Sequence, residues 1–137
     1  MKKYLLILVV LLTGLFAKAQ DDGDAAKGEK IRDRMSMYIQ QKLGMTKDEA
    51  EKFTPIFIKY FKEFRQTRMD YQGDKLVMKQ KIIELRIRYR TEFRGIMDEQ
   101  KANRVYTAED EFRQKVIAMT ERQKERVEQA TQKKNLQ

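Results

Sequence analysis

From Glu29 to about Glu121 the apolar residues of this chain return every three or four positions and never settle into sustained alternation. That period matches the α-helical turn and argues against half-buried strands. One Pro and six Gly in 137 residues leave few places where helices can break. The breaks therefore define the topology, and the fold class read from them is all-α.

Four helices follow. The first covers about Glu29 to Leu43, with Ile31, Met35, Tyr38, Ile39 and Leu43 on one face and Gly44 suited to a left-handed cap. Thr46-Lys47-Asp48-Glu49 is a capping box that opens the second helix, which runs to about Tyr71. Phe53, Phe57, Tyr60, Phe61, Phe64 and Arg68 share its stripe, and Pro55 predicts a bend between Glu51 and Thr54. Gln72-Gly73-Asp74 reads as a turn, with a helix continuous through Gly73 as the alternative. Asp74 is then the N-cap of a third helix, Lys75 to Arg94, with Met78, Ile82, Leu85, Tyr89, Phe93 and beyond them Ile96 in line. Gly95 is its C-cap. The fourth helix opens near Asp98 and places Ala102, Val105, Tyr106, Phe112, Val116 and Met119 on its buried side. Beyond Glu121 almost no apolar face remains, which predicts fraying helix or tail, with 126–137 a charged tail after a helical domain at 29–125.

The N-terminus is of another kind. Lys2 and Lys3 precede a nearly continuous apolar run, Tyr4 to Phe16, and Ala17-Lys18-Ala19 supplies the small-x-small pattern of a signal-peptidase site. The expectation is an export signal at 1–19, cleaved after Ala19. A retained anchor is the rival reading, and the run is short of the roughly 20 residues a spanning helix needs. Residues 20–28, QDDGDAAKG, read as a disordered leader.

Composition narrows the chemistry. The chain has no Cys, which excludes disulfides, thiolate nucleophiles and Cys-ligated metal centres, and no His, which removes the commonest general base and transition-metal ligand. Ser36, the single serine, has no His partner, and the acids sit at helix positions among Lys and Arg that read as solvated. Asp21, Asp22 and Asp24 resemble the start of a calcium loop, but the downstream Gly and Glu spacing is missing. The reading is a non-enzyme without metal or cofactor.

The formal net charge is +9, of which residues 1–19 hold +3 with no acid. The remaining +6 lies wholly in residues 59–94, with 11 Lys/Arg against 5 acids. Such a charged chain has little to bury, so a second copy is expected to help complete its core. The basic stretch has three readings: a solvated face, a nucleic-acid surface, or a surface for acidic or unfolded polypeptide. Export argues against the second. Concentration of the excess beside Met, Ile and aromatic groups favours the third.

Two helix starts share a pattern, Met45-Thr46-Lys47-Asp48-Glu49 and Ile96-Met97-Asp98-Glu99-Gln100, each just after a Gly. The pair resembles the twice-repeated LTxxQ motif of the Spy/CpxP family of periplasmic helical proteins. Met45 and Ile96 stand for Leu, Thr46 is kept while Met97 replaces its counterpart, and Glu49 stands where Gln100 is kept. The segment from Glu49 to Phe57 also resembles a divergent branch of such exported proteins, linked to extracytoplasmic sigma factors. The resemblance covers about 29–125. It implies a periplasmic protein with an elongated four-helix hairpin that pairs as a cradle-shaped antiparallel homodimer. It also implies either an ATP-independent holdase for unfolded or partly folded clients, or an envelope-stress accessory binding one membrane sensor or anti-sigma partner. A metal-sensing branch of the family depends on His, which this chain lacks.

For client capture the expected residues are Arg65, Arg68, Arg86, Arg88, Arg90 and Arg94. Arg86, Arg90 and Arg94 fall at i, i+4 and i+8 on one stripe, with Arg88 about 160° from Arg90. Arg65 and Arg68, one turn apart, join that stripe if the second and third helices pack antiparallel.

Overall fold

The computed structural model describes residues 26–136. The signal segment, the start of the leader and the calcium-like Asp21, Asp22 and Asp24 lie outside the described residues. Four helices make up the described chain: α1 at 26–42, α2 at Lys47–Asp70, α3 at Lys75–Arg94 and α4 at Glu99–Asn135. No strand occurs among the described residues. No described helix is long and apolar enough to cross a membrane.

The chain divides into two units, Met1–Arg34 and Met35–Gln137. In the first, residues 26–34 are the opening turns of α1, with Arg32 paired to its neighbour Asp33 at 2.9 Å. Residues 26–28, expected in the leader, are already helical.

The second unit holds the core. Met35, Ile39 and Leu43 recur at i, i+4 and i+8 and are buried. Gly44 adopts φ 60, the left-handed turn that only Gly enters without strain, and this releases the chain from α1. The capping box at α2 forms: Thr46 Oγ1 accepts from the Glu49 amide at 3.2 Å, and the Thr46 amide donates to Glu49 Oε1 at 3.4 Å. α2 continues through Pro55, which sits on the exposed side. Phe53, Phe57, Tyr60, Phe61 and Phe64 are buried along its inner face.

The chain turns at 71–73, so Gly73 marks a break rather than a continuous helix. Asp74 Oδ1 accepts from the amides of Leu76 and Val77, both at 3.1 Å, and starts α3. α2 and α3 form an antiparallel hairpin: Phe53 packs tilted against Phe93 with ring centroids 5.2 Å apart, and Tyr60 meets Tyr89 edge-on at 5.5 Å. Gly95 ends α3 in ordinary right-handed geometry, φ −74. Asp98 caps α4 by accepting from the Lys101 amide at 2.8 Å.

α4 then runs parallel to α2. Ala102, Val105, Ala108 and Glu109 face inward, and Tyr38 of α1 packs against Phe112 at 5.6 Å. One expectation changes here. Met119, expected inside, is 65% exposed, because packing on α4 ends near Ala118. Beyond Glu121 the chain is exposed and helical to Asn135, so the last turns of α4 carry no buried residue.

Candidate functional site

The six expected arginines do not form one patch. Arg86 turns inward. Its guanidinium makes a two-pronged contact with Asp110, at 2.6 and 3.3 Å, and donates to Glu109 Oε1 at 3.0 Å and to the Tyr60 oxygen at 3.2 Å. It also stacks over Tyr106, 5.1 Å from the ring centre. Burial works against its charge, but the hydrogen bond to Asp110 and the field of Glu109 outweigh it and hold the proton more firmly than in an ordinary arginine.

Glu109 is the residue that organises this network, and it is fully buried. Tyr60 donates to both of its oxygens, at 2.8 and 2.6 Å, while Arg86 and Arg113 supply positive charge at 3.0 and 3.4 Å. Arg113 sits over Phe64, 4.2 Å from the ring centre, and its buried Nε has no hydrogen-bond partner among the described residues. Tyr106 closes the circuit by donating to the Arg86 carbonyl at 2.7 Å. Burial, then the negative charge of Glu109, pushes the phenols of Tyr60 and Tyr106 upward. A buried carboxylate held by two guanidiniums and a phenol ties α2, α3 and α4 together, with Oε1 accepting from all three and Oε2 from Tyr60 alone. The expectation of uniformly solvated acids fails at this position. Glu109 lies four residues after Val105 and three before Phe112, on the apolar stripe, and that spacing was the available signal.

Arg88 and Arg94 are on the surface but paired. Arg88 donates to Glu63 Oε2 at 2.8 Å, and its neighbour Tyr89 donates to the other oxygen at 2.6 Å. Arg94 reaches Glu99 and Asn103, both at 3.1 Å. Arg65, Arg68 and Arg90 have no ion pair among the described residues. Arg65 is about 160° around α2 from Glu63, the residue that meets α3, so Arg65 points away from the α3 flank.

What the structure gathers instead is a face on α3 and α4. Leu76, Ile83 and Ile87 fall at i, i+7 and i+11 and leave α3 exposed, Ile83 by 57% and Ile87 by 53%. Ile83, Ile87 and Arg90 line a shallow cleft of about 120 Å³ with Arg86, Asn103 and Tyr106. Its size suits one or two side chains and falls short of the several hundred Å³ of small-molecule sites. The exposed isoleucines were legible as residues, but periodicity alone did not show that α4 leaves them uncovered.

The two motif copies are also placed. Met45 and Ile96 are half-buried against the core and Met97 is buried, while Gln100 is exposed. Glu49 both caps α2 and accepts from Lys101, the residue capped by Asp98. At the second copy α4 therefore starts one residue later than the motif alignment implies, because Met97 fills the Thr position and cannot cap, and Asp98 does so instead. No family model, curated protein or solved structure matches this chain.

Proposed function

We propose that the chain is an exported, ATP-independent holdase that binds unfolded or partly folded polypeptides on the outer face of α3 and its cleft with α4. One observation carries the reading: Ile83 and Ile87 stay exposed on a well-capped helix, beside Arg90, whose charge is not paired among the described residues. Isolated exposed apolar residues are ordinary, whereas a row of them beside a cleft marks a contact surface. The cation draws acidic segments in and aliphatic side chains then occupy the cleft. Such contacts are shallow, so binding is weak and reversible. The resemblance of the two helix starts to LTxxQ proteins points the same way, and an accompanying homodimer belongs to the same proposal.

The test is aggregation of an unrelated, chemically unfolded protein in the presence of the purified chain. A holdase suppresses aggregation of several unrelated clients at near-equal ratios without nucleotide. Suppression of none of them would replace this reading by an accessory that binds one specific partner.

A further inference from the structure

The free end of α4 has an arrangement of charge that solvation alone does not require. From Met119 onward every described residue is exposed, over a stretch that rises about 25 Å beyond the core. Val116, Met119, Gln123, Val127 and Ala130 fall within about 40° of one line on this helix. Arg122, Arg126 and Lys133 border that line on one side, Lys124 borders it on the other, and Lys134 lies at its end. Glu121, Glu125 and Glu128 lie on the opposite side. None of these charged residues forms an ion pair among the described residues.

A helix that only needs solubility gains by placing Glu four residues before Lys. Here two of the three charged i, i+4 pairs between 121 and 128, Glu121 with Glu125 and Arg122 with Arg126, are like-charged and weaken an isolated helix, while Lys124 with Glu128 and the i, i+3 pairs Glu121 with Lys124 and Arg122 with Glu125 support it. The segregation makes sense against a partner. A second copy laid on the same seam, parallel or antiparallel, brings cations against cations. A lipid surface needs a broad apolar face with Leu, Phe or Trp, whereas this seam is narrow, holds small aliphatic groups and has Gln123 at its middle. A narrow seam with charged borders, interrupted by Gln123 and ended by Lys134, is the form of a coiled-coil strand.

We infer that residues 116–134 of α4 dock an acidic amphipathic helix of another protein, its apolar seam on Val116, Met119, Val127 and Ala130 and its flanking carboxylates on Arg122, Lys124, Arg126 and Lys133. This docking is separate from the α3 face and stands or falls without the holdase reading.

The probe is a labelled synthetic helix about three heptads long, with a Leu/Ile seam and Glu at both flanking positions. Its anisotropy is titrated with the full chain. Binding is expected, weakening steeply with salt, and the same peptide with Lys flanks is expected not to bind. Met119→Gln with Val127→Gln should weaken binding about tenfold and leave the salt dependence, and Arg122→Gln with Arg126→Gln should flatten the salt dependence. Gln123→Leu should tighten binding, a gain that no loss of helix can mimic. Equal binding by the seam variant, no gain from Gln123→Leu, self-association through α4 in sedimentation, or capture by phosphatidylglycerol vesicles without capture of the peptide would each overturn the inference.

Discussion

Lys101 donates its ammonium protons to both oxygens of Glu49, at 2.9 and 3.3 Å, and thereby fastens the start of α4 to the start of α2. Both residues belong to helix N-termini. Glu49 closes the capping box on Thr46, and the Lys101 amide is held by Asp98. Two sequence-separated caps thus become one structural junction.

That junction predicts acid sensitivity. The bond from Lys101 holds the Glu49 carboxyl below the usual range; partial burial opposes this, and the Thr46 amide assists it. A carboxyl whose pKa is depressed by folding stabilises the fold above its unfolded value, about 4.3, and loses that contribution as pH falls through the folded value. Glu49→Gln should therefore cost about 1 kcal/mol at neutral pH and shrink the loss of stability on acidification. Urea titrations at neutral and acidic pH check both. An unchanged pH profile in the variant would remove Glu49 from the account.

The buried network predicts a larger effect. Removing Glu109 leaves Arg86 and Arg113 without their shared carboxylate, and Glu109→Ala should destabilise by about 3 kcal/mol or more. Tyr60→Phe removes one buried donor and should cost about 1–2 kcal/mol. Arg86→Gln should resemble Glu109→Ala, since the buried carboxylate then lacks its main cation. Equilibrium unfolding measures all three. A stability change below 1 kcal/mol in Glu109→Ala would mean that the network is not closed in solution.

Three phenols set an alkaline limit. Burial first, and then Glu109 for Tyr60 and Tyr106 or the bond to Glu63 for Tyr89, raises their proton affinity above that of free tyrosine. A group whose pKa is raised by folding contributes stability that is intact below the unfolded value, about 10, and lost as pH rises beyond it. The tyrosinate absorbance of Tyr60, Tyr89 and Tyr106 should therefore rise only together with the loss of helix. Full tyrosine titration before any unfolding would contradict this.

Helices, breaks and caps were legible from the sequence because they depend on local chemistry. Gly44, Thr46, Asp74 and Asp98 each act within one turn, and the apolar stripes of α2 and α3 appear where period 3.6 places them, while on α1 the buried stripe starts at Met35 and Ile31, expected on it, is 42% exposed. The candidate site was less legible because it depends on which helix covers which flank. Arg86 and Arg90 share a stripe in the sequence, yet α4 brings Glu109 and Asp110 to Arg86 and leaves Arg90 beside the open cleft. Charge counting treats the two alike. Tertiary packing separates them.

The end of α4 predicts tolerance. Deleting residues 119–137 removes no buried group and no ion pair among the described residues, so stability should change by less than about 0.5 kcal/mol. Thermal unfolding of the shortened chain checks it, and a large fall would show that the extension packs on the domain.

The most direct measurement is aggregation suppression by a surface variant of α3. Ile83→Asn with Ile87→Asn and Arg90→Gln removes the exposed apolar row and its unpaired charge, while Arg86 and Glu109 stay intact. The account predicts an unchanged thermal midpoint and suppression at least tenfold weaker per mole than the parent chain, roughly a 1.4 kcal/mol loss of client affinity. Full suppression by this variant, folded and helical, would contradict client capture on the α3 face.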